Sequence, residues 1–264
     1  MRFVACVEYE GTNYCGWQIL GHAPSVQEQV ELALSSIAAH PISVVCSGRT
    51  DSGVHAVRQI IHFDTEAKRE PRGWLFGANS KLPCDIALRW VVPIEEDFHA
   101  RFSAFARRYR YIILNRLARP GLFQNKMAWV YHPLNEQAMH QAAQVLIGEY
   151  DFSSFRASGC QARHAIREIQ ELTIGRCGEM VYVDIKANAF LHHMVRNIVG
   201  SLLQVGTGEK PIEWIAELLA LKDRTKAGMT APPQGLYFVQ AYYPERFQLP
   251  ESTLAPSFIL YGGV

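Results

Sequence analysis

The loop from Cys46 to Ala56 carries the residues whose types are best suited to chemistry. It reads Cys-Ser-Gly-Arg-Thr-Asp-Ser-Gly-Val-His-Ala, with Asp51 as its single acidic side chain and Arg49 two residues earlier. Glycines at 48 and 53 allow a tight turn and let a ligand approach the backbone closely. A carboxylate beside a guanidinium stays ionised well below neutral pH. The loop therefore favours a nucleophile or a metal ligand over a general acid.

Two other interpretations of this loop are open from the residues alone. The Asp-Ser-Gly tripeptide is common in plain turns. It also occurs in aspartic proteases, in which two Asp residues share one proton. However, Arg49 and Thr50 stand where such a protease has apolar residues, and the chain has no second Asp-Ser/Thr-Gly, so each subunit of a dimer would have to supply one Asp. A P-loop is excluded, because no Gly-x-x-x-x-Gly-Lys-Ser/Thr run occurs.

Basic residues are concentrated in two segments of a chain whose formal net charge is only +1. No acidic residue occurs between Asp97 and Glu136, or between Phe152 and Arg167. The first segment contains Arg101, Arg107, Arg108, Arg110, Arg116, Arg119 and Lys126, and the second contains Arg156, Arg163 and Arg167. Charge segregated in this way predicts a positive groove for nucleic acid. The alternative is a solvated basic face without a partner.

The elements that must position these residues form two α+β units by their hydrophobic patterns. In the first half we predict strands at Arg2–Glu10, Val57–Asp64 and Ile86–Val92, and helices after the capping box of Ser25 and Glu28 and at Trp74–Asn79. In the second half we predict strands at Arg108–Asn115, Arg167–Ile174, Met180–Ala187 and Leu236–Ala241, and helices at Glu136–Ile147, Phe190–Gly206 and Pro211–Leu221. Pattern alone does not say how the two sheets meet.

Composition is that of a globular chain with room for one large or two small cores, with 264 residues of which 48% are hydrophobic. Its six cysteines show no Cys-x-x-Cys spacing, which indicates a reduced protein without structural zinc. The N-terminus begins a strand pattern rather than a signal peptide, and no apolar run approaches the roughly 20 residues of a membrane helix. We therefore expect a cytoplasmic protein with no membrane partner.

Five sequence blocks, in order along nearly the whole chain, resemble the tRNA pseudouridine synthase A family. They are Tyr9–Gln18, Ser47–Ala56, Asp97–Arg101 continuing through Arg108–Tyr111, Asn188–Asn197, and Ala231–Leu236. The match is closest in Ser-Gly-Arg-Thr-Asp-Ser-Gly-Val-His-Ala. Glu10 and Tyr14 stand where the family pattern has Asp and Phe, and both are conservative departures.

The resemblance implies a fold and a domain organisation. The expected fold is α+β, with two ferredoxin-like or RNA-recognition-motif-like domains that have mainly antiparallel sheets, are related by a pseudo-two-fold axis and have the active cleft between them. Residues 1–102 would form the domain that carries the Asp51 loop. Residues 103–247 would form the domain that carries the other site residues, and residues 248–264 would be a C-terminal tail.

The resemblance also implies a function, namely isomerisation of uridine to pseudouridine at positions 38, 39 and 40 in the anticodon stem-loop of tRNA. The enzyme would be a homodimer. The reaction replaces one glycosidic bond with another and leaves the redox state unchanged, so no cofactor and no metal are expected. A catalytically silent tRNA-binding module on the same fold and the one-Asp protease remain alternatives.

Seven site residues are nominated on this basis. The resemblance makes Asp51 the catalytic carboxylate, Tyr109 the residue that stacks on the target base, and Arg196 the partner that pairs with Asp51. From position alone Tyr109 could equally be a core residue. Further substrate contacts are expected from Arg49, Arg101, Arg108 and Arg110. His192 and His193 would point about 100° apart on a helix, which disfavours a shared metal site.

Overall fold

The computed structural model describes residues 1–250, which form two compact units of α+β structure. The first unit comprises Met1–Arg107 with residues 237–250, and the second comprises Arg108–Leu236. The strands are β1 (Arg2–Tyr9), β2 (Val45–Cys46), β3 (His55–Asp64), β4 (Ile86–Ile94), β5 (Ala106–Asn115), β6 (Ala128–Val130), β7 (Gly148–Asp151), β8 (Ile166–Cys177), β9 (Met180–Ala187) and β10 (Leu236–Tyr242). The helices are α1 (Val26–Ala38), α2 (Pro71–Asn79), α3 (Glu136–Ala143), α4 (Met194–Gly206) and α5 (Trp214–Leu221).

The sheet of the first unit has the strand order β4-β1-β3-β10. Strand β1 is antiparallel to both of its neighbours, whereas β10 is parallel to β3 and pairs Tyr237 with His55. Both faces of β1 are buried, which is why its sequence is apolar almost throughout. Phe3 packs against Trp74 of α2 on one face, and Val4 joins a cluster with Phe98 and Phe247 on the other.

The sheet of the second unit has the strand order β5-β9-β8-β7, and β6 pairs in parallel with β5. Strands β8 and β9 form an antiparallel hairpin whose turn contains Gly178 at a φ of +57°. Helices α3 and α4 contact each other, and α3 packs on β8. Helix α4 supplies much of the core, since ten of its thirteen residues are buried.

The helix predicted from Phe190 begins four residues later, at Met194. His193 precedes it with a left-handed φ of 59°, so Phe190, Leu191 and His192 lie in a loop instead of on the apolar stripe of the helix. Three other helix ends also differ. Helix α5, predicted from Pro211, begins at Trp214. Helix α2 begins at Pro71, a residue suited to a first helical position, and α3 ends at Ala143 before a 3-10 turn over Gln144–Leu146.

The predicted α+β class with mainly antiparallel strands is confirmed. Two segments that were expected in the second domain, residues 103–107 and 237–247, belong to the first unit. The second of them contains most of β10, which pairs with β3. The pseudo-two-fold relation stays a prediction, and residues 251–264 of the predicted tail lie outside the described residues. Within residues 1–250, no helix is long and apolar enough to span a bilayer.

Candidate active site

The loop that carries Asp51 is anchored at its start by the buried side chain of Gln59 on β3. The Gln59 Oε1 atom accepts a hydrogen bond from Ser47 Oγ at 2.6 Å, and its Nε2 atom donates to the carbonyl oxygen of Gly48 at 2.5 Å. Because Gln59 is 0% exposed, neither bond competes with solvent. The first residues of the loop are therefore fixed relative to β3.

The segment from Gly11 to Trp17 packs directly on the other side of this loop. Trp17 N donates to the carbonyl oxygen of Thr50 at 3.0 Å, and the Gly53 N–H donates to that of Tyr14 at 3.3 Å. A Cβ atom on Gly16 would lie 2.5 Å from the carbonyl oxygen of Thr50, and the φ of Gly16 is +93°. Only glycine fits this position.

These contacts give a physical reason for the first sequence block, Tyr9–Gln18, which contains none of the nominated site residues. A Cβ atom on Gly11 would lie 1.9 Å from the carbonyl oxygen of Val54, so a second glycine also permits the close approach. The Gly11 N–H donates to His55 Nδ1 at 3.0 Å, and the His55 ring stacks on Tyr237 at 4.8 Å between centroids. In the sequence, the glycines at positions 11 and 16 were the feature that could have indicated this close packing.

Asp51 itself lies at the turn of this supported loop and is half-buried. Its carbonyl oxygen accepts the Val54 N–H at 3.1 Å, which closes the turn. The hydroxyl groups of the preceding Thr50 and of Tyr9 are hydrogen-bonded at 2.7 Å beneath the loop. The backbone on both sides of Asp51 is thus held by bonds that do not involve its carboxylate.

Arg107, one of the basic residues expected to line a groove, instead supports this loop. Its Nε and Nη2 atoms donate to the carbonyl oxygen of Ser47 at 3.3 and 3.2 Å, and Nη1 donates to that of Ala104 at 3.0 Å. The guanidinium therefore joins the start of the Asp51 loop to the chain that precedes β5. Sequence reasoning missed this role, because an arginine in a basic run carries no signal for a backbone partner.

Arg49 and Arg101 are both exposed and belong to the same unit as Asp51. Burial raises the pKa of the Cys46 thiol to about 11, and the positive charges of Arg49 and Arg101 oppose that shift. Both guanidinium groups therefore act on the start of the Asp51 loop. Their expected contacts with substrate stay predictions.

Tyr109 lies on β5 in the second unit and is 9% exposed. Its ring meets that of Phe190 edge to face, with 4.9 Å between centroids and 79° between planes. This arrangement fixes the plane of the Tyr109 ring. Phe190 was assigned to a helix from the sequence, and its position in the loop before α4 is what allows this contact.

Arg108 and Arg110 extend from the other face of β5 and form ion pairs with Asp184 on β9. Arg108 Nη1 lies 2.8 Å from Asp184 Oδ1, and Arg110 Nε lies 2.8 Å from Asp184 Oδ2. Arg108 also pairs with Glu171 on β8. Since Asp184 is 5% exposed, it needs these charges. The two arginines thus have a structural role, and their expected contact with substrate stays a prediction.

Arg196 lies in the first turn of α4 and is half-buried. Its Nε donates to the carbonyl oxygen of Ala231 at 2.8 Å, and its own carbonyl accepts the Ala231 N–H at 3.0 Å. Residue 231 opens the last of the five sequence blocks. That block therefore holds the Arg196 side chain by its backbone.

A buried polar network fixes the chain that leads to Ala231. Asn197, which is 0% exposed, accepts hydrogen bonds from Thr230 Oγ1 at 2.6 Å and from Arg224 at 3.0 Å. A Cβ atom on Gly200 would lie 1.7 Å from the carbonyl oxygen of Met229, so this helix glycine is required for the close packing. The support of Arg196 is thus built from α4 itself and the segment that follows α5.

The predicted geometry of His192 and His193 is wrong, because neither residue lies inside the helix. Their rings lie next to each other, with centroids 3.9 Å apart and 35° between planes. The divergence by 100° required both residues to have helical backbone, whereas His193 has a left-handed conformation. The expectation that the protein needs no metal stays a prediction.

Comparison with known proteins agrees with the sequence blocks and the folded units. The family model described as tRNA pseudouridine synthase matches residues 5–103 and 142–244. A protein named tRNA pseudouridine synthase A from Xanthomonas campestris pv. campestris is 59% identical over 95% of this chain and 98% of its own length. A protein of the same name from Hydrogenovibrio crunogenus is 59% identical over 94% of this chain and 95% of its own. The chain belongs to the tRNA pseudouridine synthase family.

Proposed function

We propose that this protein isomerises uridine to pseudouridine in tRNA, with Asp51 as the essential catalytic group. The observation that carries the proposal is the carboxylate of Asp51 on a loop whose backbone is fixed on both sides by Gln59, Arg107 and the segment from Gly11 to Trp17. A preorganised charged group costs little reorganisation when the reaction occurs. A plain surface turn needs no such support.

The reaction breaks the bond between C1′ of the ribose and N1 of uracil and forms a bond between C1′ and C5. The proton that C5 loses is matched by the proton that N1 gains, so atoms and electrons balance without a cofactor. The protein must hold two fragments while the base turns. In the proposal Asp51 acts as nucleophile or assists elimination at the sugar, Tyr109 stacks on the base, and Arg196 pairs with Asp51.

The fixed positions of Tyr109 and Arg196 within their own unit support these roles. The Tyr109 ring is oriented by Phe190, and the Arg196 side chain is held by Ala231. Stacking on an aromatic ring is worth on the order of 1–3 kcal/mol per base, comparable with the few kcal/mol needed to flip a nucleotide out of a helix. One ordered ring can therefore offset much of that cost.

The target uridines, the assembly and the location form the finer part of the proposal. We infer that the enzyme acts at positions 38, 39 and 40 of the anticodon stem-loop, as a homodimer, in the cytoplasm. The resemblance of the five sequence blocks supports the target positions and the assembly, and the name of relatives at 59% identity supports tRNA as the substrate. A tRNA-binding module without activity is the second candidate, since it would need the same basic residues.

Incubation with an unmodified tRNA transcript distinguishes these candidates. We expect new pseudouridine at positions 38–40 that carry uridine, detected by carbodiimide labelling and primer extension. A transcript with cytidine at those positions is the control and should stay unmodified. Binding without modification would favour the silent module. Light scattering of the same sample tests the dimer.

The arginines predicted to bind phosphate should separate into two groups when the salt dependence of tRNA binding is measured. Replacing exposed Arg101 by Ala should reduce the magnitude of the slope of log affinity against log salt by about one unit or slightly less. Arg108→Ala should change the slope less and lower the midpoint of urea unfolding, because it removes a partner from Asp184 and Glu171.

Arg72→Ala provides the control for this experiment. Arg72 is exposed on α2, and its guanidinium lies 5.2 Å from the ring of Phe76. Its replacement should leave both the salt slope and the unfolding midpoint unchanged. A salt slope that stays at the wild-type value in Arg101→Ala would remove Arg101 from the tRNA contacts.

A further inference from the structure

Phe102 is an exposed aromatic residue to which the proposed mechanism gives no role. It is 75% exposed, and it lies in the first unit in the turn from His99 to Ser103. One face of its ring stacks on His99, with 4.3 Å between centroids and 29° between planes. The guanidinium of Arg101 lies 5.6 Å from the ring centroid. An exposed ring is thus backed by a second ring and flanked by a cation.

The turn that carries Phe102 is held by its own hydrogen bonds. The backbone N–H groups of Arg101 and Phe102 both donate to His99 Nδ1 at 3.2 Å, and Ser103 N donates to the carbonyl oxygen of His99 at 2.9 Å. Burial, together with the positive charge of Arg2, lowers the pKa of His99, which agrees with a neutral ring that accepts these bonds. The Phe102 ring is therefore ordered before any ligand arrives.

The side chain of Arg107 connects this turn to the Asp51 loop. Arg107 Nη2 donates to the carbonyl oxygen of Arg101 at 2.5 Å and to that of Ser47 at 3.2 Å. All of these residues belong to the first unit. The position of the exposed ring is thus coupled to the start of the loop that carries the catalytic carboxylate.

The chemical surroundings of Phe102 favour a nucleic-acid ligand. Covering an exposed phenylalanine ring with a ligand is stabilising because it removes apolar surface from water. The Phe102 ring offers such a surface at an ordered position. The exposed guanidinium of Arg101 lies beside the ring and supplies positive charge for a phosphate. An aromatic face beside an arginine is the arrangement with which proteins hold single-stranded nucleotides regardless of base.

We propose that Phe102 and Arg101 form a second nucleotide-binding site, which holds an unpaired nucleotide next to the target uridine. The Phe102 ring stacks on the base of that nucleotide and Arg101 contacts its phosphate. Binding there keeps the strand beside the Asp51 loop after the target base leaves its helix. The inference rests on the proposed function, because it assigns a further contact to the same substrate.

Substitutions at Phe102 test the site. Phe102→Ala should raise the KM for tRNA roughly 5- to 150-fold, the effect of losing one stacked base. Phe102→Tyr should keep KM within about twofold of wild type, because the ring remains. Phe76→Ala is the matched control: Phe76 is 61% exposed in the same unit and also lies beside an arginine, but belongs to α2. It should leave KM unchanged.

A fluorescent base gives a second measurement that does not depend on turnover. With 2-aminopurine next to the target position, wild-type protein and Phe102→Tyr should change the emission on binding, and Phe102→Ala should lose most of that change. The proposal would be overturned if Phe102→Ala had the KM of wild type and showed the same change in emission on binding as wild type. A shift of Phe102→Ala to a smaller oligomer would also overturn it, since Phe102 would then contact a second copy. If wild-type protein formed no pseudouridine, the proposed function would fail first.

Discussion

Asp51→Asn is expected to form no pseudouridine in unmodified tRNA, even with enzyme in excess over substrate. The substitution keeps the size and polarity of the side chain but removes its charge and nearly all of its nucleophilicity. Its backbone bond to Val54 is unaffected, and Asn suits a turn as well as Asp does. The variant should therefore unfold at the wild-type temperature or slightly above it, and bind tRNA within a few-fold of wild type. Single-turnover assays are the measurement.

Two further variants sharpen this experiment. Asp51→Glu keeps the charge but moves the carboxylate by one methylene on a loop that cannot easily shift, so it should also lose most of its activity. Asp97→Asn is the control, because Asp97 is an exposed carboxylate of the same unit that pairs with Arg246. Activity of Asp51→Asn within about tenfold of wild type, equivalent to only ~1.4 kcal/mol of barrier, would show that this loop is a plain turn.

Arg196→Lys should lower kcat far more than it lowers tRNA affinity. Lysine has no Nε–H group at the position that donates to Ala231, and a point charge does not orient a carboxylate as a planar guanidinium does. Measuring kcat and KM separately distinguishes this outcome from a simple loss of positive charge, which would appear mainly as weaker binding.

The control for Arg196→Lys is Arg116→Lys. Arg116 is an arginine of the same unit whose Nη1 lies 3.0 Å from Glu179 at the protein surface, so this substitution should leave kcat and KM unchanged. A kcat for Arg196→Lys equal to that of wild type would argue against the proposed pairing with Asp51. Thermal unfolding of both variants checks that the fold is intact.

The Asp51 loop and most strands could be predicted from local pattern, because a strand needs only alternating or continuous apolar residues and a turn needs only glycine and polar residues. The predicted strand Met180–Ala187 coincides with β9. By contrast, the start of α4 could not be predicted. The apolar spacing of Phe190 with Met194 continues the helical period, and only the left-handed backbone of His193 interrupts it. The pattern of apolar residues does not indicate a left-handed backbone conformation at a histidine.

Contacts between residues that are far apart in the chain also could not be predicted from the sequence. The run from 98 to 135 contains no acid, so its arginines looked free to bind phosphate. Asp184 lies 74 residues after Arg110 in the chain, yet the pairing of strands brings the two side chains together. Gln59 and Arg107 likewise donate to backbone carbonyls of residues that are distant in the chain. Because every residue has a carbonyl group, the sequence does not indicate which of them accepts a hydrogen bond from a given side chain.

The parallel pairing of β10 with β3 affects the order of events during protein synthesis. Residues 1–107 leave the ribosome first, but the strand that pairs with His55 and Ala56 is about 130 residues further along. At roughly 5–20 residues per second, translation of that stretch takes on the order of ten seconds. During this interval the edge of β3 next to the Asp51 loop has no Tyr237 to stack on His55. The Asp51 loop therefore lacks this support until residue 237 has been made. A nascent chain stalled before residue 237 should be cut near residue 55 more readily by proteases than the released protein.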